Sequence, residues 1–190
     1  MLKQIDQIDG IQDFVTNSFI DARGSLLQCY VRSDLEKRGI PGEFLQANQS
    51  RSRRGVVRGL HFQWDPPQGK LIRCVRGAIL DVVVDIRHGS PTCGDHATLE
   101  LTGDNSKLFW VPPGFAHGFM ALEEDSIVLY ECTAEWNPAG EGGILWCDPA
   151  LGISWPALDP VLSPKDLRNP TLAQWLADPR SRAFRLTPER

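Results

Sequence analysis

The chain lacks a basic excess, has few tyrosines and contains no long apolar run. Its 190 residues carry 20 lysines and arginines against 24 aspartates and glutamates, a formal net charge of −4. That balance argues against general nucleic-acid binding, so any basic cluster acts locally. No apolar run approaches the roughly 18–20 residues that a membrane span needs. The segment from Met1 to Gly10 lacks the basic-then-apolar layout of a secretory signal. The five cysteines (Cys29, Cys74, Cys93, Cys132 and Cys147) are odd in number and form no Cys-x-x-Cys pair. They argue against a disulfide framework or a zinc site, and reduced thiols in a cytoplasmic protein are expected. Internal repeats and low-complexity linkers are absent as well. What remains is ordinary, with 42% hydrophobic and 23% charged residues. A chain of this length and make-up forms one domain with a sizeable core.

The stretch Asn48–Lys70 organises the rest. It opens with Asn48, Ser50 and Ser52 and holds Arg51, Arg53, Arg54 and Arg58. His61 follows in Leu60-His61-Phe62-Gln63, and Lys70 closes it. An anion clamp, a general base and a cation in one segment indicate a site for a phosphorylated substrate that loses a proton.

Around it the pattern is mainly β. Residues 1–30 read as short strands broken by Gly10 and by Ala22-Arg23-Gly24. Ser33-Asp34-Leu35-Glu36 has the spacing of a capping box, which places a short helix after Ser33. From residue 44 to about 155, short runs rich in β-branched residues alternate with Gly/Pro/Asn/Asp breaks. The runs are Val56-Val57, Leu71-Ile72, Ile79–Ile86, Ala97–Leu101, Leu108–Val111, Ile127–Tyr130 and Ile144–Trp146. Many short strands at such spacing indicate a sandwich or barrel. The near-continuous valine and isoleucine of Asp81–Arg87 predicts a strand covered on both faces. Residues 156–178 are proline-rich with a helix expected at Thr171–Ala177, and the last dozen residues read as polar and peripheral. The expected layout is an N-terminal arm (1–43), a barrel core (44–155) and a C-terminal segment (156–190).

Each candidate for chemistry has a plainer alternative. His61 lies in an expected strand, as either a hydrogen-bonded core histidine or a general base that a carboxylate would orient. Lys70 is either an exposed lysine or an ammonium that stabilises an enolate oxygen. Tyr130 is either a barrel aromatic or a buried general acid. Asp166 is either a helix N-terminal carboxylate or the partner of His61. Arg23, Arg58 and Lys165 are either solvated cations or phosphate ligands. His88 and His96 fall in turn-like stretches and are expected in solvent. Pro112-x-Gly114-x-x-His117 resembles the second motif of metal-binding cupins. The place of their first motif reads His61-Phe62-Gln63, however, so a glutamine stands for the second histidine. Two separate histidines and an amide do not make the three or four ligands a transition metal requires. No metal is expected.

A longer series of motifs carries a more specific resemblance. In order they are Phe19-x-Asp21-x-Arg23-Gly24, Gln46-x-Asn48-x-Ser50, Gly55-Val56-x-Arg58-Gly59-Leu60-His61-Phe62-Gln63, Lys70-Leu71, Asp81-Val82-x-Val84-Asp85-x-Arg87 and Ser90-Pro91-Thr92. Pro112-x-Gly114-Phe115-Ala116-His117-Gly118-Phe119, Tyr130-x-Cys132-Thr133, Asp148-Pro149, Ile153-x-Trp155-Pro156 and Ser163-x-Lys165-Asp166 follow. From about Phe14 to Leu172 the chain resembles the dTDP-4-dehydrorhamnose 3,5-epimerase family. The resemblance implies a jelly-roll, cupin-like barrel with short peripheral helices, a homodimer, and neither metal nor cofactor. It implies a dTDP-linked 4-keto-6-deoxyhexose substrate, epimerised at C3 and C5 by proton abstraction next to the C4 ketone. By the same resemblance His61 is the base, Asp166 its partner, Lys70 the enolate's cation and Tyr130 the acid. Phe19, Arg23, Gln28, Gln46, Ala47, Asn48, Arg58, His117, Trp136, Glu141 and Lys165 are expected around the nucleotide sugar. Phe19 and Arg23 are expected to act across the dimer. Gln28 replaces the family's usual glutamate, and Trp136 its usual tyrosine. An indole keeps a stacking face and loses the hydroxyl. Epimerisation at a single carbon, a non-catalytic sugar-nucleotide barrel and a metal-dependent cupin oxygenase are the competing readings.

Overall fold

The computed structural model describes residues 1–186. Its strands are β1 (Leu2–Lys3), β2 (Gln12–Val15), β3 (Ser18–Asp21), β4 (Gly24–Leu27), β5 (Gln46–Ser52), β6 (Val57–Gln63) and β7 (Lys70–Arg76). They continue as β8 (Ala78–Asp85), β9 (His96–Thr102), β10 (Lys107–Val111), β11 (Phe115–Ala121), β12 (Ser126–Cys132) and β13 (Glu141–Gly143). Two short helices, α1 (Arg32–Lys37) and α2 (Leu172–Ala177), lie at the periphery. No helix among the described residues is long and apolar enough to cross a membrane.

The strands form two facing sheets, ordered β1-β9-β8-β11-β6-β13 and β2-β10-β7-β12-β5, while β3 and β4 form a separate hairpin. The fold is a cupin-like jelly roll. Alternation decides which side chains meet between the sheets. Ile79, Val83, Phe115 and Phe119 from one sheet pack on Ile72, Cys74, Phe109 and Val128 from the other. The opposite face of the first sheet is also covered. Val82 and Val84 of β8, with Leu60 and Phe62 of β6, lie under Leu172, Trp175 and Phe184 of the C-terminal segment. That explains the near-continuous apolar run of β8, since both of its faces are buried.

The outer face of the second sheet is only partly covered. Leu35 and Ile40, from and just after α1, pack on Leu71, Leu108 and Trp110. Beyond that patch Leu45 and Val75 remain exposed.

Several expectations change. Within the N-terminal arm, β1 pairs with β9 and β2 with β10, so these short strands extend the two sheets. Helix α1 starts one residue before Ser33, with Val31 at its cap and no side-chain cap bond. At α2 the expectation holds, since Thr171 forms a full capping box with Gln174. Strand β13 stops at Gly143, although Ile144 still exchanges backbone bonds with Leu60. Strand β11 was not read from sequence, because Phe115–Ala121 holds a glycine and no β-branched residue. His96 is not in solvent: pairing of β9 with β8 and β1 leaves it 1% exposed. His88 is half-buried, with Nε2 2.6 Å from Ser181 Oγ. The C-terminal dozen is not wholly peripheral, because Phe184 packs in the outer core; residues 187–190 lie outside the described ones.

Candidate active site

One local irregularity in β6 brings its functional residues to a common face. Opposite β11, His61 pairs with His117 while Arg58 pairs with Phe119. Three steps on β6 therefore match two on β11, which is a β-bulge. Without it, Arg58 and His61 would point to opposite faces. Gly59 occupies the bulge with a φ of 129°, and an added Cβ would stand 2.6 Å from Gly118 Cα. Two glycines thus allow the strands to approach closely at this step.

His61 points into a cavity of about 290 Å³ between the sheets. Arg58, Lys70, His117, Tyr130, Glu141, Lys165 and Asp166 line it too. Ser50, Phe119 and Ser163 complete the wall. An adjoining recess of about 320 Å³ shares His61, Lys70, Tyr130 and Glu141, and adds Gln46, Asn48, Gln68 and Trp136. The even-numbered residues of β5 face this trough.

Asp166, 105 residues from His61 in sequence, opens a short 3₁₀ turn (Asp166–Arg168) in the C-terminal segment. Its Oδ1 lies 2.6 Å from His61 Nε2. The carboxylate accepts from Nε2–H, which leaves the Nδ1 lone pair without a protein partner among the described residues. The backbone N–H of Asp166 donates to Ser163 Oγ at 3.1 Å. Burial pushes the Asp166 carboxyl up. Hydrogen bonds from His61, Ser163 and the Gly59 backbone, with the His61 charge, outweigh that and hold it below its ordinary value.

Lys70 begins β7 opposite Cys132. Burial pushes its pKa down, opposed by the negative potential of Cys132, Glu141 and Asp81. Tyr130 is raised, chiefly by burial, so its phenol keeps its proton near neutral pH. Glu141 accepts from Lys165 Nζ across the mouth of the cavity. Burial raises Glu141, but Lys165 and a hydrogen bond from Trp136 bring it below its ordinary value. Arg58 Nε donates to Ser52 Oγ at 3.0 Å. Gln46 Oε1 accepts from the Trp136 backbone N–H at 2.7 Å, while its own amide donates to Asn48.

Four sequence candidates do not reach this trough. Ala47 faces outward on β5, with its side chain on the exposed side of the strand. Phe19 and Arg23 belong to the β3–β4 hairpin, where Phe19 is exposed and Arg23 pairs with Asp21. Gln28 lines a different cavity, under the N-terminal arm, where Asn17 Nδ2 donates to it at 3.1 Å. Sequence reasoning also left a residue out. Asp81 is buried behind His117, with both carboxylate oxygens 2.9 Å from His117 Nε2. A carboxylate inside the apolar run Ile79–Ile86 was the available signal. Among the described residues no group of three or more His, Cys, Asp or Glu gathers as a metal set.

A base paired with a carboxylate, a desolvated cation and a protonated phenol around one cavity can move a proton between carbon and protein. Comparison with known proteins narrows the chemistry. Residues 6–174 match the family model described as dTDP-4-dehydrorhamnose 3,5-epimerase. A protein of that name from Methanothermobacter thermautotrophicus is 42% identical over 84% of this chain and 88% of its own length. The crystal structure of dTDP-6-deoxy-D-glucose-3,5-epimerase from Legionella pneumophila, in complex with dTDP-4-keto-L-rhamnose, superimposes with a TM-score of 0.89. It is 39% identical and covers 96% of both chains. A 3′-monoepimerase from Streptomyces bikiniensis, in complex with dTDP-quinovose, gives a TM-score of 0.84 at 34% identity, over 90% of this chain and 88% of that one.

Proposed function

The chain belongs to the dTDP-4-dehydrorhamnose 3,5-epimerase family, and from that membership we propose that it converts dTDP-4-dehydro-6-deoxy-D-glucose into dTDP-4-dehydro-L-rhamnose. It is an isomerase of the nucleotide-sugar 3,5-epimerase class. The His61–Asp166 pair, facing Lys70 and Tyr130 across one cavity, is the observation that carries the reading.

The hydrogens on C3 and C5 both flank the C4 ketone. Nδ1 of His61 takes one of them, and the bonding electrons move to the C4 oxygen as an enolate. Lys70 holds that oxygen. Tyr130 returns a proton to the opposite face, which inverts the carbon. Asp166 keeps His61 in the required tautomer and stabilises the imidazolium that forms. Arg58 and Lys165 hold the diphosphate and His117 and Glu141 the sugar, with Gln46, Asn48 and the Ala47 backbone beside them. Trp136 offers its exposed indole face to the nucleotide base. The reaction uses no cofactor and no metal.

The protein acts as a homodimer in this reading. Phe19, Arg23 and Gln28 lie away from the trough of their own chain, and the hairpin exposes Phe19, Ile20 and Leu26. The dimer places these residues at the partner's site, and the half-covered outer face of the second sheet supplies the contact. The free cysteines and the nucleotide-linked substrate accord with a cytoplasmic enzyme.

Incubation with dTDP-4-dehydro-6-deoxy-D-glucose in deuterated water tests the proposal. Deuterium is expected at both C3 and C5, and absence of exchange at either carbon beside an active control refutes it. Label at one carbon only gives the second reading, a single-site epimerase. The likeness to a 3′-monoepimerase and the tryptophan at position 136 favour that alternative.

A further inference from the structure

Asp81 has no exposed surface and sits in the middle of β8 between Ile79 and Val83 on the inward face. Two groups satisfy its carboxylate: the His117 ring, with Nε2 2.9 Å from both oxygens, and the Val82 backbone N–H. Removing a carboxylate from water is costly, and a backbone carbonyl or apolar packing anchors a ring at lower cost. Burial pushes the Asp81 carboxyl up, opposed by His117 and then by Lys70. The carboxylate does two things that packing does not. It makes Nε2 a hydrogen donor and so leaves Nδ1 as the nitrogen available to the cavity that His117 lines. It also stabilises positive charge on the ring when Nδ1–H meets an oxygen anion. His117 is the cross-strand neighbour of His61, and Lys70 lies on the facing sheet. Two histidine–aspartate pairs therefore stand side by side, one bonded to a surface segment and one sealed in the core.

We propose that Asp81 is a positioning residue of the reaction. It keeps Nε2–H on the carboxylate and stabilises the doubly protonated ring, whose Nδ1–H donates to the sugar's C4 oxygen as negative charge develops there, beside Lys70. This rests on the epimerase reading above. The Asp166 pair then serves the carbon acid, and the Asp81 pair serves the oxygen.

Asp81→Asn tests it, because the amide keeps the shape and loses the charge. Turnover is expected to fall on the order of 100-fold, the size of effect seen when one oxyanion donor is removed. Affinity for dTDP alone stays within about threefold, because the nucleotide does not reach the C4 oxygen, and the melting temperature stays level or rises as a buried charge disappears. Spectra of ¹⁵N-histidine protein report the loss of the doubly protonated His117 ring. Turnover within about threefold of the unaltered enzyme, or a loss that merely tracks the folded fraction, overturns the proposal. If Asp81→Asn alone does not fold, His117→Gln and the Asp81→Asn/His117→Gln double variant, whose two side-chain amides can pair in the buried site, replace it. Equal losses in the two are expected, while near-normal turnover in His117→Gln, or a further loss in the double variant, overturns the proposal. Failure of the unaltered enzyme to exchange deuterium is a separate result, which removes the epimerase reading itself.

Discussion

Replacing Asp166 with asparagine removes one charge and leaves the outline of the side chain. Asp166 is 4% exposed and meets His61 Nε2 at 2.6 Å, so solvent does little to replace the lost interaction. A hydrogen bond to a charged group contributes about 1.5–3 kcal/mol. If all of it stabilises the imidazolium, turnover falls about 10- to 160-fold, since each 1.36 kcal/mol is a factor of ten. The amide also turns an N–H₂ group toward Nε2. That favours the tautomer with hydrogen on Nδ1, the nitrogen needed as base, so the loss lies at the upper end of that range or beyond it. The assay is solvent-deuterium uptake into the nucleotide sugar, with dTDP affinity measured in parallel and expected to stay within about threefold. Turnover within about threefold of the unaltered enzyme refutes the assignment of Asp166 to His61 in the reaction. A pH series adds a second check. The Asp166 carboxyl sits below its ordinary value in the fold, so it adds stability that is fully present above the unfolded value near 3.9. That stability is lost as pH falls through the lower folded value, and the gap in melting temperature between the two proteins narrows as pH falls below about 5.

Tyr130→Phe removes the acid and leaves the base. Deuterium uptake with the original configuration is expected to outlast inversion, which slows by about 10²–10⁴-fold; equal slowing of both, seen by NMR, counts against Tyr130 as the acid. Gly59→Ala places a methyl 2.6 Å from Gly118 Cα at a φ of 129°. Chemical denaturation is expected to show a loss of about 2–4 kcal/mol, with activity lost beyond the folded fraction as the bulge shifts. Lys70→Met abolishes turnover and raises the melting temperature. Burial holds the Lys70 pKa below its ordinary value, so its charge lowers stability fully at pH values below the folded pKa. The stability gap to the methionine variant therefore shrinks as pH rises through that value toward about 10.4. A gap independent of pH between about 7 and 10.5 contradicts the desolvation account.

Some of the site was legible because its signals are local. The Pro66-Pro67 turn and the Lys70 that follows, the helix after Thr171 and the double-sided apolar run of β8 all sit in contiguous residues. The Ser33 cap misled because α1 packs through Leu35 and Ile40, and that tertiary contact outweighs a capping preference. Strand β11 was hidden because Gly118 is there for close approach of two strands, a need that no single-strand pattern displays.

The sequence by itself determined the class of fold and the kinds of chemical group available. Alternating apolar residues demand facing sheets, and the motif order from Phe19 to Asp166 names a family. Only the tertiary structure decided which groups meet. A one-residue bulge turns Arg58 and His61 to the same side, and a C-terminal turn crosses 105 positions to reach His61. A buried aspartate claims one nitrogen of His117. Chain order records none of these, because contact between distant residues follows from strand register and packing.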